Sequence, residues 1–453
     1  MKQFSDFYSR LRHSPFVVNL ATLSTGTIIA QIIPFFATVI LSRLYNPDEM
    51  GEWGVFSSYA SIFAIIGTLR YDGAIVRAKN DTDAYNLTYI SIFFSLSFTI
   101  LVCIIAVVVY FFNVDTALAA NVLWLLPIYI FSLLMVQSLS GLATYQRKYK
   151  VIATNSINRS TSQSVIRILL GFLHVYRKGM ILGAIIGNLF SLFFLYHGVR
   201  LLKGISNFSY GKAFILIRDN KSFPKYDLPS NILNSISSHC PPILLAFFFS
   251  DSVVGLFSMA YSLLYIPMSF IGSSVSQLYY KDASEAYNNG LFISNLTRRF
   301  FVLLSSIGLL FMCILLLCEN WIFGVILGEK WNDVGQYAVL LSPWLLLVTS
   351  ISPLSPVFGV KDKLNVNMNV NIVGVIIRVS SILLTAFLFH SSNLTVFSFG
   401  IASSIFYIIL GFFILKYGEL QLFPKDYILL GSLTVLYLVL YIWKLGIHSS
   451  LLI

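Results

Sequence analysis

The sequence predicts an all-α membrane protein with twelve or thirteen transmembrane helices, arranged as two six-helix lobes and one extra helix at the carboxyl end. Three observations predict this fold: long apolar runs, a one-sided distribution of basic residues, and a weak internal repeat. Hydrophobic residues make up 57% of the 453 positions and charged residues only 11%, far below the quarter that is usual in soluble domains. Such a composition excludes an ordinary soluble fold.

Thirteen apolar runs of about twenty residues follow one another along the chain. Because a helix rises about 1.5 Å per residue, a run of this length crosses a hydrocarbon layer of about 30 Å. The runs lie approximately at residues 19–42, 53–69, 86–112, 118–143, 151–175, 180–199, 227–249, 253–278, 296–317, 336–360, 364–388, 396–415 and 427–443. The first run is too long for the apolar part of a signal peptide, so we expect it to be retained as the first helix.

The loops between these runs alternate in charge. Of the 30 lysine and arginine residues, 22 fall on one side of the membrane, five fall on the other, and three (Arg159, Arg167 and Arg378) lie inside spans. Because basic loops stay in the cytoplasm, we expect the amino terminus there, and an odd number of spans places the carboxyl terminus outside. Topology thus explains the net charge of +11, and we expect no nucleic-acid partner.

A repeat divides the chain into two halves. Five residues of the second span, beginning with Gly54, match five of the eighth span, beginning with Gly255, at an offset of 201 residues. Arg167 in the fifth span aligns with Arg378 in the eleventh at an offset of 211. The predicted domains are an amino-terminal lobe at 1–200, a basic cytoplasmic linker at 201–226, a second lobe at 227–416 and an extra transmembrane segment at 417–453. Because six is an even number, both lobes begin on the same side of the membrane. We therefore expect a pseudo-two-fold axis along the membrane normal to relate them, as in alternating-access transporters.

Polar side chains recur on one face of two predicted spans. In the fifth span they follow at steps of four residues: Asn155, Arg159, Gln163 and Arg167. In the eleventh they are Asn367, Asn371 and, beyond Gly374, Arg378. An arginine at mid-bilayer costs about 2.5 to 3.5 kcal/mol on insertion scales, so it is kept where it faces protein or water. We therefore expect Arg167 and Arg378 to face the space between the lobes.

The charge balance of the spans indicates what these arginines bind. Only Asp72 and Asp227 among the 19 carboxylates are expected to touch a span, so the missing negative charge is assigned to a ligand. Phosphate is the leading candidate because a guanidinium donates two hydrogen bonds at once and stays ionised. Two alternatives for the arginines are pairing with helix carbonyls and snorkelling to an interface.

Other polar residues complete the predicted site. Asn155, Gln163, Asn371 and Gln31 are predicted to bind substrate, although small-residue packing explains the polar face of the first helix, which includes Gln31, equally well. Arg70 and Asp72 can form a local pair at the membrane edge and are candidates for coupling or gating. The four cysteines and six histidines show no metal-ligand spacing, so no metal and no cofactor is predicted.

Four loop motifs carry a resemblance to a known family. They are LSRLYNPDEMG at residues 41–51, LRYDGAIV at 69–76, YQRKYK at 145–150 and FPKY at 223–226. These stretches resemble bacterial polysaccharide flippases, the Wzx-type O-antigen transporters of the multidrug/oligosaccharidyl-lipid/polysaccharide exporter superfamily. The thirteenth span departs from the twelve-helix pattern of that family.

The resemblance implies a substrate and a location. It implies alternating-access transport of an undecaprenyl-diphosphate-linked oligosaccharide, an O-antigen or capsule repeat unit, from the cytoplasmic to the periplasmic leaflet of the bacterial inner membrane. It also implies that the diphosphate lies near Arg159, Arg167 and Arg378, with the sugars in a polar cavity and the prenyl tail in membrane lipid. A polysaccharide polymerase and a chain-length regulator are the further partners that it suggests.

Two other functions stay open. A multidrug or cation antiporter of the same superfamily would need a membrane-embedded carboxylate, and the first and seventh spans carry none at mid-depth. An enzyme such as a membrane polysaccharide polymerase would need a convergent acid–base set, but the six histidines are scattered and the outer loops are short. We therefore expect a transporter that is not an enzyme.

Overall fold

The computed structural model of the protein describes residues 15–112, 118, 120–199, 201 and 208–448. Nearly all of this part is helical and it contains no β-strand, which confirms the predicted all-α class. Ten of its helices are long and apolar enough to cross a membrane. The basic residues Lys2, Arg10 and Arg12, on which the predicted cytoplasmic amino terminus rests, lie outside the described residues, as do residues 202–207 of the predicted linker.

The chain divides into two compact units. The first unit comprises residues 1–44 and 56–235, and the second comprises residues 45–55 and 236–453. The lobe boundaries at residues 200 and 227 and the extra segment from residue 417 stay predictions.

The helices up to residue 235 lie in the first unit, except for the first nine residues of α2. They are α1 (Pro15–Leu44), α2 (Pro47–Gly67), α3 (Tyr71–Val76), α4 (Asp81–Phe111), α5 (Ala120–Leu123), α6 (Leu125–Tyr145), α7 (Tyr149–Phe172), α8 (Tyr176–Val199) and α9 (Tyr210–Asp219). A short π-helical segment, Phe223–Asp227, leads into α10 (Leu228–Phe248), which continues into the second unit. Helix α9 occupies part of the predicted linker.

The remaining helices belong to the second unit. They are α11 (Asp251–Asn288), α12 (Ser294–Asn320), α13 (Val334–Ile351), α14 (Val357–Val360), α15 (Leu364–Phe389), α16 (Ser392–Tyr417) and α17 (Pro424–His448). A π-helical segment, Trp321–Leu327, and two 3₁₀ turns, Glu329–Trp331 and Ser352–Leu354, join them. Each of the thirteen apolar runs thus forms a helix, although α2, α7 and α10 are not among the ten that satisfy the length and hydropathy criterion.

Two glycines allow α2 and α11 to approach closely at one end of the second unit. A methyl group added at Gly51 would lie 1.8 Å from the Asp251 carbonyl oxygen, and one added at Gly255 would lie 1.9 Å from the Pro47 carbonyl oxygen. Helix backbones come this close only where both side chains are absent or very small. The Gly51–Gly255 crossing therefore holds the start of α2 against the start of α11.

The thirteenth helix, α17, is attached to the second unit at three levels. Near its start, Asp426 accepts a hydrogen bond from Arg298 of α12 at 2.7 Å. Halfway along, the Tyr437 hydroxyl lies 2.9 Å from the hydroxyl of Ser342 on α13. Near its end, Lys444 forms an ion pair of 2.8 Å with Glu319, and the two residues are only 4% and 1% exposed. Helix α17 is therefore an integral part of this unit.

The buried Glu319 corrects one expectation from the sequence. Buried carboxylates lie within the long helices α2, α12 and α17, and two of them, Glu52 in α2 and Glu319 in α12, lie at the edge of a predicted apolar run. The apolar runs were expected to stop short of them because each lies at a run's edge. The helices continue past the apolar residues, and for Glu319 the energetic cost of burial is offset by Lys444.

Replacing Lys444 with methionine is expected to destabilise the protein by about 3 to 5 kcal/mol, since it removes the cation that compensates the buried Glu319. Thermal unfolding of the detergent-purified protein measures this loss. The double variant Lys444→Met with Glu319→Gln carries no buried charge here and should recover most of it. Equal losses in the single and double variants would mean that the charge pairing is not what fixes α17.

Candidate functional site

Arg378 is the buried arginine of the second unit. It lies in the middle of α15 and is 7% exposed. One guanidinium nitrogen, Nη1, donates a short hydrogen bond to the hydroxyl of Ser237 on α10. The guanidinium carbon lies 4.1 Å from the ring centroid of Phe406 and 5.4 Å from that of Tyr407, both on α16. Three helices therefore hold one cation.

The glycine one turn before Arg378 makes room for the Phe406 ring. A methyl group added at Gly374 would lie 2.3 Å from a ring carbon of Phe406, so only glycine lets the ring lie against α15. The ring face offers the guanidinium a cation–π contact, which contributes about 0.5 to 2 kcal/mol. This contact positions the cation without neutralising it.

The charge of Arg378 has no acid partner in the described part of the chain. The ion pairs found there involve Arg70, Arg298, Lys361 and Lys444, and none includes Arg378. Its Nε and Nη2 atoms are buried and make no hydrogen bond of normal geometry with a described atom, and the hydroxyl of Tyr407 also lies within reach of the guanidinium. A buried ionised group without such partners is energetically costly. The site is therefore suited to an anion that accepts two hydrogen bonds side by side.

Asn371 lies two turns before Arg378 on α15. Its side-chain amide donates to the carbonyl of Asn367 at 2.8 Å and to that residue's side-chain oxygen at 3.1 Å. Both bonds lie within the helix. Asn371 is thus held locally, and none of the described hydrogen bonds joins it to Arg378.

The predicted polar stripe of α7 does lie along one side of that helix, and three of its four residues contact α8. Ser191 donates to the side-chain oxygen of Asn155 at 3.0 Å. Gln163 donates to Asn188 at 2.8 Å, and Arg167 donates through Nε to the Met180 carbonyl at 3.1 Å. These bonds fasten α7 to its neighbour.

Two glycines on α8 bring these side chains into contact. A methyl group at Gly183 would lie 2.5 Å from Cγ of Arg167, and one at Gly187 would lie 2.4 Å from Cγ of Gln163. The spacing of four residues between them is the small-residue pattern of tightly packed membrane helices. This glycine pair is visible in the sequence of α8. It was a signal that the facing side of α7 is a packing surface.

Arg159 and Gln31 complete the predicted residues of the first unit. Arg159 is half-buried, and its side chain makes no hydrogen bond or ion pair with any residue that the structure describes. Gln31 is half-buried on α1, which lies against α7 where Gly26 meets Ala153. Of the two predicted arginines on α7, Arg159 is thus the one without a described hydrogen bond to α8.

Arg70 and Asp72 form the expected pair and belong to a larger network. Leu69 and Arg70 have positive φ angles of 47° and 63°, a strained conformation that ends α2 and redirects the chain. Nη1 of Arg70 lies 3.5 Å from Asp72, and its Nε bonds to Asp227 at 2.6 Å. Asp72 also accepts hydrogen bonds from Thr68 at 2.6 Å and Gln137 at 2.8 Å. Asp72 therefore joins α3 to α6, and Arg70 links it to Asp227 in the segment before α10.

Arg378 was predicted from the sequence, whereas the residues that surround it were not. Ser237, Phe406 and Tyr407 lie in apolar runs whose periodicity gives no sign of a cation nearby. No group of three or more metal-ligating side chains occurs among the residues with described positions. The arrangement places a buried cation in the second unit and a carboxylate–arginine network in the first.

The chain is similar in sequence to one protein family and in fold to several solved structures. The sequence model of a family described as polysaccharide biosynthesis protein matches residues 40–336. No curated protein sequence matches the chain. Among solved structures the chain is similar to the lipid II flippase MurJ in an inward closed conformation, with 12% identity, a TM-score of 0.69, and coverage of 95% of this chain and 99% of that one.

Two further structures share the fold. One is an inward-facing multidrug resistance transporter of the MATE family of the MOP superfamily, with 14% identity, a TM-score of 0.66, and coverage of 89% and 98%. The other is a MOP superfamily transporter from Pyrococcus furiosus, with 13% identity, a TM-score of 0.56, and coverage of 88% and 95%. At these identities the likeness concerns the fold, which is that of a multi-pass membrane transporter.

Proposed function

Because the chain belongs to the polysaccharide biosynthesis protein family and has the fold of MOP superfamily transporters, we propose that it moves a lipid-linked oligosaccharide across a membrane. Family and fold agree with the resemblance of its loop motifs to the polysaccharide flippases of that superfamily. The proposed substrate is an undecaprenyl-diphosphate-linked repeat unit of O-antigen or capsule. The proposed route runs from the cytoplasmic to the periplasmic leaflet of the bacterial inner membrane by alternating access, with the amino terminus in the cytoplasm.

The buried cation at Arg378 is the observation that carries this proposal. It supplies a positive charge without a described acid partner, and two buried donor atoms that make no hydrogen bond of normal geometry with a described residue. A diphosphate provides the matching acceptors, and an arginine binds them bidentately. The ion pair formed in a site of low dielectric is stronger than in water. We therefore assign the diphosphate of the substrate to Arg378.

The other predicted residues support this assignment to different degrees. Arg159 is a second candidate for phosphate contact because its side chain has no described partner. Arg167, Gln163 and Asn155 bond to α8, which favours a role in holding the first unit together. Arg70 and Asp72 are proposed as a conformational link, since their network joins separate elements of the first unit.

The cation-antiporter alternative has less support. Such a transporter needs a buried carboxylate that exchanges its bound proton or sodium for the substrate. Asp72 accepts hydrogen bonds from Thr68 and Gln137 and pairs with Arg70, and Glu319 pairs with Lys444. Each of these carboxylates thus already pairs with a cation of the protein itself, which is the place that a cationic substrate would have to take.

Deletion of the gene in its host is expected to abolish one surface polysaccharide and to accumulate its lipid-linked repeat unit on the cytoplasmic leaflet. Gel analysis of surface polysaccharide, with mass spectrometry of extracted polyprenyl lipids, measures both effects. A plasmid copy of the wild-type gene should restore the polymer and remove the accumulated lipid. Normal polysaccharide without lipid accumulation would contradict the proposal, and loss of drug or cation resistance would then favour the antiporter.

A further inference from the structure

A row of stacked aromatic rings lies on α11 in the second unit. Phe257, Tyr261 and Tyr265 follow at steps of four residues along one face of the helix. The Tyr261 ring centroid lies 6.4 Å from Phe257 and 5.1 Å from Tyr265, with interplanar angles of 3° and 11°. Trp344 of α13 stacks on Tyr261 at 5.6 Å. The Tyr261 ring is therefore held in place by neighbours on two helices, and the Tyr265 ring stacks on it.

The row changes in polarity along its length. Phe257 is buried at one end, whereas Tyr265 is 37% exposed at the other. Hydroxyl groups occur only toward the accessible end. Packing alone does not require them, because phenylalanine fills the same space without a polar atom.

The hydroxyls of Tyr261 and Tyr265 differ from those of other tyrosines in this unit. Three buried tyrosines each form a hydrogen bond with a serine or threonine hydroxyl: Tyr279, Tyr337 and Tyr437. Neither Tyr261 nor Tyr265 forms such a bond with a residue that the structure describes. Because a polar group in a dry environment normally has a partner, these two hydroxyls are suited to a ligand.

These tyrosines lie beside the proposed phosphate contact. The Arg378 guanidinium carbon lies 5.4 Å from the Tyr407 ring centroid, Tyr261 lies within electrostatic range of both residues, and Tyr265 lies within that range of Tyr407. The Tyr407 hydroxyl also interacts with the Arg378 guanidinium. One cation and three phenol groups, contributed by α11, α15 and α16, thus share one region of the second unit.

We infer that Tyr261, Tyr265 and Tyr407 bind the sugar that is attached directly to the diphosphate. A pyranose presents hydroxyls, which pair with the phenol hydroxyls, and a C–H face, which packs on an aromatic ring. A prenyl chain would make no use of the hydroxyls, so the lipid is a poorer match for this surface. This inference rests on the proposed function, because it takes the phosphate at Arg378 as the neighbour of the sugar.

A matched set of ligands, with and without a sugar, tests this assignment on the detergent-purified full chain. Geranyl diphosphate carries the lipid and diphosphate alone, and glycosyl esters of the same molecule add one glucose, galactose or N-acetylglucosamine. We expect the wild-type protein to bind at least one glycosyl ester roughly two- to tenfold more tightly than geranyl diphosphate, the gain of one net hydrogen bond. In the Tyr261→Phe/Tyr265→Phe variant this preference should fall to about one, with unchanged affinity for geranyl diphosphate.

Tyr441→Phe is the matched control. Tyr441 stacks on Tyr437 at 5.8 Å and 18° in the same unit, a similar geometry on α17, so its variant should keep the wild-type preference. A sugar preference that survives in the double variant, or is missing in the wild type, overturns the inference and leaves the proposed function standing. Failure of the wild type to bind any of these ligands would overturn the phosphate assignment as well.

Discussion

Replacing Arg378 with alanine is expected to lower transport of the lipid-linked oligosaccharide at least tenfold while leaving the protein folded. Two charge-assisted hydrogen bonds to phosphate are lost, each worth about 1.5 to 3 kcal/mol, so even one of them accounts for a tenfold effect. The variant loses the contacts with Ser237 and Phe406 but also the cost of burying the cation, so the unfolding temperature without substrate should stay close to that of the wild type. Complementation of the deletion strain and thermal unfolding of the purified variant measure the two effects.

Two further variants make this result specific. Arg378→Lys should recover transport only in part, because an ammonium group lacks the planar fork that binds phosphate bidentately. Arg299→Ala removes an exposed arginine of α12 and should transport normally. Full transport by Arg378→Ala would refute the phosphate assignment. A lower unfolding temperature together with lost transport would show that the arginine serves the fold.

The second large effect is expected at the Gly51–Gly255 crossing. Alanine at either position places a methyl carbon within 2 Å of a backbone carbonyl oxygen of the facing helix, so the helices must separate. Overpacking of a rigid contact costs about 1 to 3 kcal/mol, and here only backbone can yield. We therefore expect Gly51→Ala and Gly255→Ala each to lower the unfolding temperature and the yield of folded protein.

The chain offers a matched control for this prediction. Gly431 lies within α17 and has no atom within 4 Å of an added methyl group, so Gly431→Ala should be neutral or slightly stabilising. Size-exclusion profiles and thermal unfolding of the three variants provide the comparison. If Gly51→Ala and Gly255→Ala behave like Gly431→Ala, the close approach of the two helices is not needed for stability.

Helix positions were largely predictable because each transmembrane helix has to be apolar over a fixed length. The prediction was weakest where that constraint does not act. Helix α9 lies in a polar stretch, and α12 continues beyond its apolar residues to Glu319. The partner of that carboxylate, Lys444, is 125 residues away, and the hydropathy of a single segment contains no information about such a pairing.

The candidate site was predictable in part for a related reason. The cost of burying a cation singled out Arg378, and helical periodicity correctly placed Asn155, Gln163 and Arg167 on one side of α7. Periodicity describes the side of a helix on which a residue lies, whereas the neighbouring element depends on tertiary packing. The contacts with α8 and the aromatic rings around Arg378 therefore became visible only in the structure.

The ion pair of α17 has a consequence for how the protein is made. Ribosomes add about 5 to 20 residues per second, so the 125 residues between Glu319 and Lys444 take about 6 to 25 s to synthesise. During this interval α12 has already left the ribosome, while its partner lysine does not yet exist. Until Lys444 has been made, Glu319 lacks the ion pair that offsets its burial, so we expect a premature stop codon before α17 to send the truncated product to membrane proteolysis.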